Sequence, residues 1–80
     1  MSEKRNSSRR RVLKVGTIVL KSGGGISCRV RDLSETGACL EVASQFGIPD
    51  GFTLQIEGDH IQRPSRVAWR KDKRIGISFG

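Results

Sequence analysis

The sequence predicts an all-β fold, a small six-stranded antiparallel β-barrel preceded by a flexible basic N-terminal arm. Short runs that alternate apolar and polar residues recur at roughly 8–12-residue spacing, the pattern of a small barrel or sandwich. Turn signals rich in Gly, Ser and Asp separate them. No segment of about 11 residues or more carries apolar residues at helical spacing. Closure into a barrel would hide the sheet edges that such a small chain leaves open to association.

Residues 1–11 are polar and charged without apolar periodicity and read as a flexible arginine-rich arm; residues 12–80 read as the barrel. The first strand runs from Val12 to Lys21, is rich in β-branched residues, and stops at Ser22-Gly23-Gly24-Gly25. Ile26 to Leu33 alternates cleanly, with Ile26, Cys28 and Val30 on one side and Ser27, Arg29 and Arg31 on the other. After the polar loop DLSETG, Ala38, Leu40 and Val42 form the apolar row of a third strand. A longer connection carrying Phe46, Ile48 and Pro49 leads to a fourth, marked by Phe52, Leu54 and Ile56. Ile61 to Arg70 is the fifth strand, and Pro64 near its start suggests an edge or a bulge there. Lys71-Asp72-Lys73 turns the chain into the sixth, with Ile75, Ile77 and Phe79.

With 80 residues and 35% of them hydrophobic, the chain forms one small domain with a thin core. A deep substrate cleft would compete with that core, which favours a binding module over an enzyme. No Ser-His-Asp or Cys-His arrangement, paired carboxylates or metal-ligand cluster is legible. No cofactor is expected. His60, beside Gly58-Asp59, reads as a solvent-facing turn residue.

The net charge is +7, and its distribution is uneven. Residues 1–14 hold Lys4, Arg5, Arg9, Arg10, Arg11 and Lys14 against Glu3 alone, a net +5, so the surplus belongs mainly to the arm. Arg outnumbers Lys ten to five, and a guanidinium fork bonds phosphate or guanine through two parallel hydrogen bonds. Cys28 alternates with the apolar residues and Cys39 away from them, so both read as free thiols of a reducing compartment rather than a disulfide. The basic start is followed by no apolar signal segment, only the short run Ile18-Val19-Leu20. The expectation is a cytoplasmic protein without membrane insertion.

Two stretches carry chemistry. In Arg5-Asn6-Ser7-Ser8-Arg9, two arginines four residues apart can approach one anionic ligand from two sides, although an isolated basic run is as often a solvated tail. In DLSETG, Asp32 can accept hydrogen bonds from a guanine edge, Ser34 can donate to a phosphate or base, and Gly37 lets a ligand approach the backbone. Taken alone, DLSETG is better read as an ordinary hairpin loop, with Asp and Ser bonding the turn backbone and Gly37 supplying a positive φ. Asp32 also ends the apolar-facing row Ile26-Cys28-Val30 at the barrel rim, within reach of a ligand or of an arginine of the arm.

Together, RxxxR before the first strand and [D/N]xSxxG about two strands later resemble the PilZ domain family. Arg5 and Arg9 match the first motif; Asp32, Ser34 and Gly37 match the second. RRRVLKVGTIVL, CRVRDLSETGACLEV and VAWRKDKRIGISF extend the resemblance over nearly the whole chain. It implies a receptor for cyclic di-GMP that changes conformation on binding and signals to a partner protein, which the sequence leaves unidentified. Arg5 and Arg9 would form the clamp, with Asp32 and Ser34 opposite and Gly37 shaping the turn. Arg10 is a third candidate contact, and Arg9, Arg10 and Arg11 can exchange roles. Many relatives continue into a C-terminal helix, so the chain is expected to be a minimal version or an excised domain.

Two alternatives belong to other classes. One is a basic OB-like barrel binding single-stranded nucleic acid, which needs exposed rings for stacking. Phe52 and Phe79 alternate with core positions, so nucleic acid is disfavoured. The other is a PilZ-like interaction domain that has lost the ligand, against which both intact motifs speak. Trp69 reads as core or rim packing, and Arg63, Arg66 and Arg70 as charge on the wet face of one strand.

Overall fold

The structure is a computed structural model that describes residues 10–58 and 61–80. Arg5, Arg9 and His60 therefore lie outside the described residues. Six strands follow in chain order: β1 (Arg10–Val19), β2 (Gly25–Leu33), β3 (Gly37–Glu41), β4 (Gly51–Ile56), β5 (Ile61–Lys71) and β6 (Arg74–Phe79). They close into an antiparallel barrel in the order β1-β2-β3-β6-β5-β4, with β4 pairing back onto β1. The expected all-β barrel is the one observed, with β1 entering its ladder at Arg10 rather than at Val12.

Alternation explains why these segments are strands. Ile18, Val30, Leu40, Leu54 and Ile75, from five of the six strands, are fully buried at the barrel centre. Each is a branched aliphatic side chain suited to a pleated, half-buried surface. β5 contributes Val67 and the buried Ser65, whose hydroxyl donates to the Arg63 carbonyl at 3.0 Å. Gly23, at a φ of 101°, closes the β1–β2 turn in a conformation that side-chain-bearing residues rarely adopt.

β3 and β4 are not neighbours, so residues 42–50 must cross one end of the barrel to join them. Ile48 drops from this connection into the core. Pro64 sits at a local edge, as expected, because β5 pairs there with β4 alone; the bulge of β5 falls at Ala68 instead. The ladder to β6 starts only at Ser65, beyond the proline, so β6 asks no hydrogen bond of its missing N–H.

Candidate functional site

Two bulges decide which side chains reach the outer wall. In β2, Val30 pairs with Leu40, and the next pair is Asp32 with Cys39, which leaves Arg31 without a β3 partner. An inserted residue reverses the alternation beyond it. Leu33 opposite Ala38 therefore turns inward and packs against the core, while Asp32 faces outward with Cys39. This corrects the expectation that Asp32 continues the inward row of Ile26, Cys28 and Val30. Uninterrupted period-2 alternation would have required it; the Arg31 bulge breaks the period.

The second bulge, at Ala68 in β5, turns Trp69 outward opposite Gly76 while Val67 faces the core opposite Ile77. Asp32, Cys39, Gly76 and Trp69 thus form one row across β2, β3, β6 and β5. At the β1 end of that row, Arg11 stands opposite Asp32, and Arg10 opposite Leu33. A methyl group added at Gly76 would collide with Nε1 and Cε2 of the Trp69 indole, so the missing side chain is what lets the ring lie across β6. Trp69 nevertheless remains 44% exposed. It borders an open cleft of about 430 Å³ shared with Ser34, Thr36, Gly37, Gly76 and Ser78. The motif loop and the tryptophan, thirty-odd residues apart in sequence, are two walls of one cavity.

Ser34 organises the loop. Its hydroxyl accepts from the backbone N–H groups of Gly37 at 3.2 Å and Thr36 at 3.3 Å, and donates to the Gly37 carbonyl at 3.2 Å. Its own N–H bonds the Gly37 carbonyl at 2.9 Å, and the Thr36 carbonyl accepts from Phe79 N–H at 2.9 Å. Ser34 is therefore a turn former, whose hydroxyl is engaged by the loop backbone. Gly37 is needed for a reason other than the expected positive φ, which it does not adopt. A Cβ at Gly37 would strike the Ile77 carbonyl oxygen, so the glycine permits close approach of β3 to β6. Asp32, by contrast, makes no hydrogen bond or ion pair among the described residues, and its carboxylate is half-buried at the outer wall.

Arg63, Arg66 and Arg70 do not form one wet-face strip. Arg63 shares its face with Leu54; its guanidinium lies 4.7 Å from the Phe79 ring centroid and reaches the Glu35 carbonyl at 3.5 Å, beside the motif loop. Arg66 is exposed and pairs with Ser78 on the outer wall. Arg70, reversed by the Ala68 bulge, shares the face of Ile75 and caps the opposite barrel end, bonding the Ile48 carbonyl at 2.9 Å. On β2, Arg31 pairs with Glu41 at 3.3 Å. Both cysteines are free and buried; burial pushes the Cys28 thiol from 9.0 up to about 11, which suppresses its thiolate.

Of the six candidate site residues, Ser34 and Gly37 line the cleft and Asp32 stands on the outer-wall row that crosses Gly76 and Trp69. Arg10 has its backbone in the first ladder pair, and Arg5 and Arg9 lie outside the described residues. Trp69, expected as core or rim packing, does pack across Gly76, but it also keeps 44% of its surface exposed at the cleft, which sequence reasoning missed. The available signal was Gly76, a glycine inside an apolar strand, which marks close approach of another group. No helix among the described residues is long and apolar enough to cross a membrane.

A family model described as PilZ domain matches residues 3–80 of the chain. No curated protein matches it.

Proposed function

The chain belongs to the PilZ domain family, and from that premise we propose that it binds cyclic di-GMP on the outer wall of the barrel and passes the signal to a partner protein. The family is one of ligand-binding adaptors and cyclic di-GMP receptors, not of catalysts. The observation that carries the proposal for this chain is the Arg31 bulge. It puts Asp32 on the same outer wall as Trp69, next to the motif loop whose Ser34 and Gly37 line an open cleft with the ring.

The chemistry fits a guanine. The Asp32 carboxylate, without a partner among the described residues, has acceptors for the N1–H and N2–H₂ edge. The exposed face of Trp69 offers a stacking surface. Ser34 holds the loop in shape through its turn bonds, and Gly37 keeps β3 close to β6. Phosphates require cations, which Arg5 and Arg9 supply as the clamp, with Arg10 as a further contact. The β1 ladder begins with Arg10 opposite Leu33 and Arg11 opposite Asp32, so the arm joins the barrel beside the site. Ordering the arm costs about 1–2 kcal/mol per backbone residue, offset by charge-assisted bonds to phosphate and guanine.

A single-stranded nucleic-acid surface is the weaker reading. Phe52 is buried and Phe79 packs against the core, which leaves Trp69 as the one ring at this wall among the described residues.

Isothermal titration calorimetry with cyclic di-GMP, alongside GTP and a short single-stranded oligonucleotide, tests the proposal. Micromolar or tighter binding of the cyclic dinucleotide alone, lost in Arg9→Ala with the fold retained, is the expected result. Silence toward it at moderate salt would reduce the two motifs to a tail and a turn.

A further inference from the structure

The barrel end opposite the motif loop carries a second feature. The crossing connection, residues 42–50, is tied to the barrel by a set of hydrogen bonds. Gln45 Nε2 donates to the carbonyls of Asp72 at 2.9 Å and Arg74 at 3.0 Å. Arg70 donates to Gln45 Oε1 at 3.2 Å, to the Ile48 carbonyl at 2.9 Å and to Asp50 Oδ1 at 2.9 Å. The Asp50 carbonyl accepts from Val67 N–H at 2.8 Å, and Ile48 is buried in the core. Between these anchors stands Phe46, 91% exposed, its N–H bonded to Ser44 Oγ at 3.1 Å. The backbone beneath this exposed ring is already held by hydrogen bonds, so little main-chain freedom remains to be lost on binding, which suits an interface anchor.

We infer that Phe46 and the adjoining β5–β6 turn form a docking surface for a partner protein whose apolar pocket is bordered by carboxylates. The Gln45 bonds place the Phe46 loop against that turn, where Lys71, Lys73 and Arg74 are exposed. These cations select acidic surroundings for the pocket that takes the ring. Asp50 is neutralised by its ion pair with Arg70 and leaves the cations in excess at this end; a bilayer calls for more than one inserted apolar side chain, and Phe46 is the one this loop offers among the described residues. The inference stands whether or not the dinucleotide binds, because it uses no residue of the cleft.

The test is photo-crosslinking in the source cells from the full chain carrying p-benzoylphenylalanine in place of Phe46, with the same group in place of the exposed Gln55 as the control site. The protein captured from position 46 is then purified and titrated with the chain. Expected is one protein adduct absent from the position 55 control, with affinity at least tenfold weaker for Phe46→Ser and weaker again when Lys73→Glu and Arg74→Glu are added. Phe46→Ser leaves the thermal midpoint unchanged, since the ring packs against little. The inference is overturned by the absence of any protein adduct, by adducts common to both positions, by crosslinks to lipid or to the chain itself, or by a captured protein whose affinity ignores Phe46→Ser.

Discussion

Replacing Gly76 with alanine tests the outer wall most directly. The added methyl would occupy space taken by Nε1 and Cε2 of Trp69 and lie 2.7 Å from Cδ1. The obstacle is a side chain, so the indole swings away and the β6 backbone stays in place. Trp69 is 44% exposed, so a little over half of its surface is at stake. For a residue of roughly 250 Å², that is on the order of 140 Å², or about 3.5 kcal/mol at 25 cal/mol per Å². A displaced ring keeps part of this, so the expected loss of stability is about 1–3 kcal/mol by urea denaturation with an unchanged m-value. Trp69 is the only tryptophan in the chain, so its emission reports the movement without labels and should shift to the red. Loss of one stacking surface, at about 1–3 kcal/mol per base, weakens cyclic di-GMP binding by roughly 5- to 150-fold. An unchanged emission maximum, with stability within about 0.3 kcal/mol of wild type, would show that the ring does not rest on Gly76. Normal ligand affinity alongside a red-shifted ring would separate the tryptophan from the site.

Gly37→Ala meets backbone, the Ile77 carbonyl, which cannot rotate away; it should destabilise at least as much as Gly76→Ala while leaving the Trp69 emission maximum in place, as chemical denaturation and emission will show together. Asp32→Ala removes a carboxylate with no hydrogen-bond or ion-pair partner among the described residues, so stability should stay within about 0.5 kcal/mol while calorimetry shows dinucleotide binding largely lost. Equal losses of stability and binding would instead make Asp32 a structural residue. Burial raises the Cys28 thiol from 9.0 to about 11, so the folded state holds that proton more tightly than the unfolded state. Its contribution to stability is complete below pH 9 and declines as pH rises toward 11. Denaturation curves collected across that window should fall more steeply for wild type than for Cys28→Ala, and parallel curves would contradict the assignment.

The sequence by itself determined the barrel and the approximate extent of its strands. Alternating aliphatic residues such as Ile26-Cys28-Val30 and Phe52-Leu54-Ile56 can bury one face only as strands, and the Gly- and Asp-bearing turns separate them. The paired motifs were legible because they are local patterns of residue types. What only the tertiary structure decided was the facing of residues beyond a bulge. Arg31 and Ala68 look ordinary in sequence, yet each is the extra residue that reverses the alternation after it, sending Asp32 and Trp69 outward and Arg70 to the far barrel end. A bulge falls where strand tilt and closure of the whole barrel demand it, and no single strand encodes that demand. The meeting of Trp69 with the motif loop across Gly76 follows from the same closure, because β3 and β5 share a cleft only through the β6 that lies between them.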